Sequence, residues 1–142
     1  MLTTVVGGTR AEKKLAYKVV PFISEILISP KLLFSMDCTV RIQKHLNIYG
    51  SCSWMDTNIR PKIFEILIAR QLDKQDFIET LCHEIVHLKQ YARNQLRETY
   101  VKSHKIWWYK EDHTDTPYDL QPWEIEAGLL ERELYLNFIN NE

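Results

Sequence analysis

The sequence lacks a surplus of either charge: 18 Lys and Arg residues stand against 19 Asp and Glu. No overall field therefore gathers nucleic acid or an anionic membrane surface, and no local basic patch of any length makes up for it. Cysteine is scarce. Cys38, Cys52 and Cys82 are odd in number and show no CxxC spacing, which excludes a disulfide framework and a zinc ribbon and fits reduced thiols in a cytoplasmic compartment. No apolar run approaches the roughly 20 residues that cross a bilayer, and residues 1–8 have neither the basic segment nor the long apolar core of a secretory signal. The expected location is the cytoplasm, or the host's cytoplasm for a viral chain, with no membrane partner and no nucleic acid. Repeats, low-complexity tracts and interdomain linkers are also absent. A length of 142 residues with 45% hydrophobic content supplies one buried core, so residues 1–142 are expected to form a single domain.

What is present sorts into helices and strands by period. Between Arg10 and Ile28, Leu15, Val19, Phe22 and Ile26 recur at three- and four-residue spacing, which predicts an amphipathic helix through Pro21 that Pro30 ends. Cys38, Val40 and Ile42 alternate with Thr39, Arg41 and Gln43, as in a half-buried strand over 37–43. A second strand is expected through Ile48 to Trp54, a turn at Asp56-Thr57-Asn58, and a third strand over Ile63 to Ala69. Asp76, with Glu79 three residues on, reads as the N-cap of a helix reaching about Glu98. Residues 103–121 show no clean period and read as one long loop. Pro122 then opens a last helix with Trp123, Ala127, Leu130, Leu134 and Phe138 on one stripe. The fold class is α+β: an N-terminal helix, a small three-stranded sheet, a central helix, a long loop and a C-terminal helix.

The chemistry is concentrated in the central helix. Its segment Thr80-Leu81-Cys82-His83-Glu84-Ile85-Val86-His87 contains HExxH, whose histidines at i and i+4 project from one face and can bind one metal ion as neutral imidazoles, a donor type suited to Zn2+. Glu84 falls beside that ion, where a carboxylate can take a proton from an attacking water and pass it to a leaving amine. Leu81, Ile85, Leu88 and Ala92 form an apolar stripe that would bury the helix and bring the histidines to the border of the core. A catalytic zinc site takes three protein ligands. His104, His113, Glu124 and Glu126 all lie downstream and are candidates for the third. Gln90 and Arg93 occupy the places where the HExxHxxGxxH pattern needs Gly and His, which excludes that subclass.

The combination of TLCHEIVHLKQY, a preceding KIFEILI strand and a later PWEIEA helix resembles the small SprT-like and phage-encoded metallopeptidases, within the gluzincin group of HExxH enzymes. The likeness covers about Gly50 to Leu134. It implies a zincin-like minimal domain, Zn2+ as cofactor, a protein or peptide substrate, and a third ligand from a glutamate on a downstream helix, where Glu124 matches. Helix geometry favours the same residue, because Glu124 flanks the Trp123/Ala127/Leu130 stripe while Glu126 lies on the opposite flank. Gly128 stands where many relatives have Asp or Asn, and Glu131 one turn on is the candidate replacement for that supporting partner. In the resembling peptidases a sheet-edge strand pairs with extended substrate, a role open to the strand over Ile63 to Ala69.

Several residues carry lesser expectations. Trp107, Trp108, Tyr109 and Tyr118 could line a cleft or pin the loop. Tyr118 or His113 could donate to an oxyanion. Cys82, though next to His83, is expected to face the core. The function that these residues support together is zinc-dependent peptide hydrolysis with Glu84 as general acid/base; the alternative is a catalytically silent interaction module or virion-associated component on the same fold.

Overall fold

The computed structural model describes residues 1–57 and 59–142 and shows an α+β fold with two sheets. Its elements are β1 (Leu2–Gly7), α1 (Arg10–Leu27), α2 (Pro30–Phe34), β2 (Asp37–Gln43), β3 (Gly50–Trp54), β4 (Ile63–Ala69), α3 (Lys74–Ala92), β5 (Leu96–Thr99), β6 (Lys105–Trp108), β7 (Glu111–Asp112) and α4 (Pro122–Asn140). Thr9 caps α1 through a reciprocal bond: its hydroxyl accepts from the Glu12 amide while Glu12 Oε1 accepts from the Thr9 amide at 2.8 Å. The helix continues through Pro21, as the period predicted.

The main sheet has the order β1-β2-β4-β3. The first two neighbours pair in parallel and β3 pairs with β4 antiparallel. Four strands thus replace the three expected. The extra one, β1, was hidden because Val5 is its single buried residue, so no alternation marks it; it is fixed by long-range pairing with β2. Cys38, Val40 and Ile42 from β2 and Phe64, Ile66 and Ile68 from β4 point into the core, where α1 and α3 cover them. Burying these side chains, at about 1.5–3 kcal/mol each, is what holds the layer together.

Four expectations need correction. The strand Ile63–Ala69 is flanked by β2 and β3, so it is interior, and the exposed edge beside the site belongs to β3. Helix α3 starts three residues early, because Asp73 is the N-cap and accepts from the Asp76 amide at 2.8 Å; Asp76 is itself inside the first turn. It ends at Ala92 instead of Glu98, since Asn94 takes a left-handed φ of 57° that stops the helix. The supposed long loop contains β6 and β7 and, with β5, forms a second antiparallel sheet. The turn at Asp56-Thr57-Asn58 lies partly outside the described residues; Asp56 accepts from the Lys62 amide at 3.1 Å.

Candidate metal centre

Helix α3 is buried along most of its length, with Ile78, Leu81, Cys82, Ile85 and Val86 fully covered. Because 3.6 residues make a turn, His83 and His87 share the remaining face, which looks onto the start of α4. Pro122 occupies the first turn of α4, and Trp123, Ala127, Leu134 and Phe138 bury the stripe that docks this helix. That packing carries Glu124 in with it. Its carboxylate sits in the first turn, where the free amides of a helix N-terminus favour negative charge.

The three side chains meet. Glu124 Oε2 lies 3.2 Å from His83 Nε2, Glu124 Oε1 lies 2.9 Å from His87 Nε2, and the two Nε2 atoms are 3.2 Å apart. One ligand atom from each of the three falls within 4.8 Å of the others, close enough to hold one metal ion. Among the described residues no other group of three His, Cys, Asp or Glu side chains does this. His104 instead faces Glu98 Oε1 at 2.8 Å and stacks on Tyr100, while His113 meets Thr116 Oγ1 at 3.1 Å. Glu126 turns away to Lys89, whose Nζ donates to it at 2.6 Å.

The donor set fits a divalent ion. Two ring nitrogens and a carboxylate converge at the mouth of a cleft of about 320 Å³, which leaves room for a water or substrate atom beside them. Burial alone would raise Glu124, but the hydrogen bonds from His83 and His87 outweigh it and hold the carboxyl well below its usual range. Burial would lower His87, and the bond to Glu124 outweighs that as well, so its imidazole is pushed up. A cation shared among the three groups would supply the same balance.

Glu84 lines the cleft floor and is 6% exposed. Burial raises its carboxyl, against the opposing pull of His87 and His83 and with a further push from Glu124 and Glu131. A carboxyl tuned upward is suited to trading protons near neutral pH. Glu131 Oε2 lies 3.6 Å from His83 Nδ1, the place where a supporting partner was expected.

The cleft walls come from distant segments. Gly50, Ser51 and Cys52 of the edge strand form one side, Tyr91 and Leu96 another, and Tyr118 and Trp123 the third. Gly50 is required there: a Cβ would meet Thr80 Cγ2 at 2.8 Å, the Leu67 carbonyl oxygen at 3.0 Å and Glu84 Cγ at 3.3 Å. Of the four aromatics considered from sequence, only Tyr118 reaches the cleft, donating to Glu124 Oε2 at 3.0 Å. Trp108 props the cleft residue Trp123 from behind, with ring centroids 6.3 Å apart, and Trp107 donates to Thr99 Oγ1 at 3.2 Å. Tyr109 packs edge-on to Trp108. Cys82 is fully buried, as expected. Sequence reasoning missed Gly50 and Cys52, which reach the site through strand pairing and carry no local signal. It also missed Gln90, whose spacing of three from His87 was a usable one. Set against protein-family models, curated proteins and solved structures, the chain finds no match, so its chemistry is read from its own residues.

Proposed function

We propose that the protein is a zinc-dependent metallopeptidase with a zincin-like arrangement, His83, His87 and Glu124 holding the ion and Glu84 acting as general acid/base. The observation that carries the reading is the meeting of His83, His87 and Glu124 from two helices at a cleft whose floor is the buried Glu84. Zinc at such a site supplies Lewis acidity, which makes water nucleophilic near neutral pH and polarises a carbonyl.

The chain's own groups would do the rest. Glu84 accepts a proton from the attacking water and returns it to the departing amine nitrogen. Tyr118, whose hydroxyl is pushed up to about 12 by burial and by Glu124, stays protonated and can donate to the carbonyl oxygen as charge develops there. The edge strand β3 lies along the cleft with one side unpaired among the described residues, so an extended peptide can add to it through main-chain bonds. This places the substrate backbone without reading its side chains. A silent interaction or virion-associated module has no physical need for a desolvated carboxylate at that spot.

Glu84→Gln tests the reading most directly. The variant should keep its fold and about one zinc per chain by elemental analysis while losing roughly 10²–10⁴-fold in turnover on an unstructured protein such as denatured casein. His83→Ala or His87→Ala should empty the site, since two ligands do not retain the ion against water. Glu124→Gln should lower zinc content and activity, whereas Glu126→Gln, outside the ligand set, should keep about one zinc per chain. Zinc retained in either histidine variant refutes the ligand set, and more than a tenth of wild-type turnover in Glu84→Gln refutes the role of Glu84.

A further inference from the structure

Gln90 is fully buried one turn beyond His87, in a place where a polar side chain is costly unless each of its groups is used. Its amide nitrogen donates to the Trp123 carbonyl oxygen at 3.0 Å and to Glu126 Oε1 at 3.0 Å. Both partners are acceptors only, so the NH2 end alone can face them, and the amide oxygen must point the other way. There it lies 2.8 Å from His87 Nδ1. An amide oxygen accepts and never donates, so Nδ1 must carry the proton, and in the neutral ring the lone pair then sits on Nε2.

That lone pair faces the metal centre. With Nε2 only 2.9 Å from Glu124 Oε1, two electron-rich atoms oppose one another unless a cation lies between them. Behind Gln90 stands Lys89, which is 7% exposed and donates to Glu126 Oε1 at 2.6 Å and to Gln95 Oε1 at 3.1 Å. A buried ion pair of this kind gains little net stability, because desolvation offsets the attraction. It does keep Glu126 a carboxylate, and a carboxylate is the partner that forbids the amide to flip.

We propose that Gln90 is a positioning residue that locks His87 in the tautomer with the proton on Nδ1, and that the Lys89–Glu126 pair is the clamp that sets the Gln90 amide. The consequence for zinc affinity rests on the metal-centre reading above; the ring-proton assignment does not.

The test uses the full chain with ¹⁵N-labelled histidine. In the metal-free Glu124→Ala variant at alkaline pH, where the rings are neutral and no carboxylate faces Nε2, His87 should show its proton on Nδ1; a proton on Nε2 overturns the proposal. Gln90→Met, which has similar volume and no acceptor, should release the ring to a mixture of tautomers and weaken zinc binding about 10–100-fold in competition with a chelator. Glu126→Gln, which no longer forbids the Gln90 amide to turn, should move the His87 ring part-way to the same mixture. Wild-type affinity in Gln90→Met, or an unchanged ring in Glu126→Gln, also overturns the proposal. Should Gln90→Met fail to fold, the Glu124→Ala spectrum decides alone. Should wild type bind no zinc, the metal-centre reading fails while the ring-proton assignment is still judged from the same spectrum.

Discussion

In the main sheet, β2 and β4 alternate buried and half-exposed residues along seven positions each, whereas β5, β6 and β7 are short and bury Leu96 alone. The two sheets flank the same cleft and are stabilised differently. The first is held by a core of branched and aromatic side chains under α1 and α3, the second by its hairpin bonds and by half-buried tryptophans. The cleft set between the two has one wall backed by the core and one that is not.

The comparison can be broken at the core. Phe64→Ala in β4 removes a side chain that is 1% exposed, and it should cost about 3–5 kcal/mol in urea or thermal unfolding. A loss under 1 kcal/mol would mean the main sheet is not where stability resides. The thiols sharpen the same point. Burial pushes Cys38 on β2 and Cys82 on α3 up to about 12 from the ordinary 9.0, so iodoacetamide should modify each about a thousandfold more slowly in the native protein than after unfolding. Rapid native labelling followed by mass spectrometry would show the core to be open.

Glu84 lies where the rigid wall meets the site, and its contribution depends on pH. Its folded carboxyl titrates above the ordinary 4.5, so the folded state binds more protons than the unfolded one as pH rises from there. Stability of the metal-free protein therefore falls with rising pH through that window. Glu84→Gln should lack this slope, and the variant should gain on wild type as pH increases above 4.5. Denaturant titrations across pH 4 to 8 check it, with parallel curves as the refuting result. Glu124 has the opposite sign, with its folded carboxyl held low, so its contribution is present above the ordinary value and lost only in acid. The smallest effect belongs to the second sheet. Trp107→Ala, opposite Arg97, should cost only about 1 kcal/mol; a loss as large as that of Phe64→Ala would erase the distinction between the walls.

How far the fold was legible follows the same division. Strands β2 and β4 and helices α1 and α4 were readable because deep one-sided burial imposes a period on sequence. The second sheet was not, because its β6–β7 turn is made of Tyr109 and Lys110, both at positive φ, where Asn-Gly would have announced a hairpin. In the site, His83, Glu84 and His87 were legible since one helix fixes their spacing. Glu124 needed the phase of a second helix, which the Trp123 to Phe138 stripe supplied. The position of β3 at the sheet edge was illegible, because strand order depends on pairings tens of residues apart and no local pattern records it. Asn94 was a stop signal that the period of α3 overshadowed.

Gly50 is the narrowest gauge in the molecule. A single added methyl group there would find Thr80, Leu67 and the stem of Glu84 already in place. The strand's bare backbone therefore sets how close the Glu84 carboxylate can lie to it and how deep the cleft runs. An alanine at 50 would act as a shim: Thr80 and the stem of Glu84 would have to give way, and the clearance over the Glu84 carboxylate is the dimension that changes.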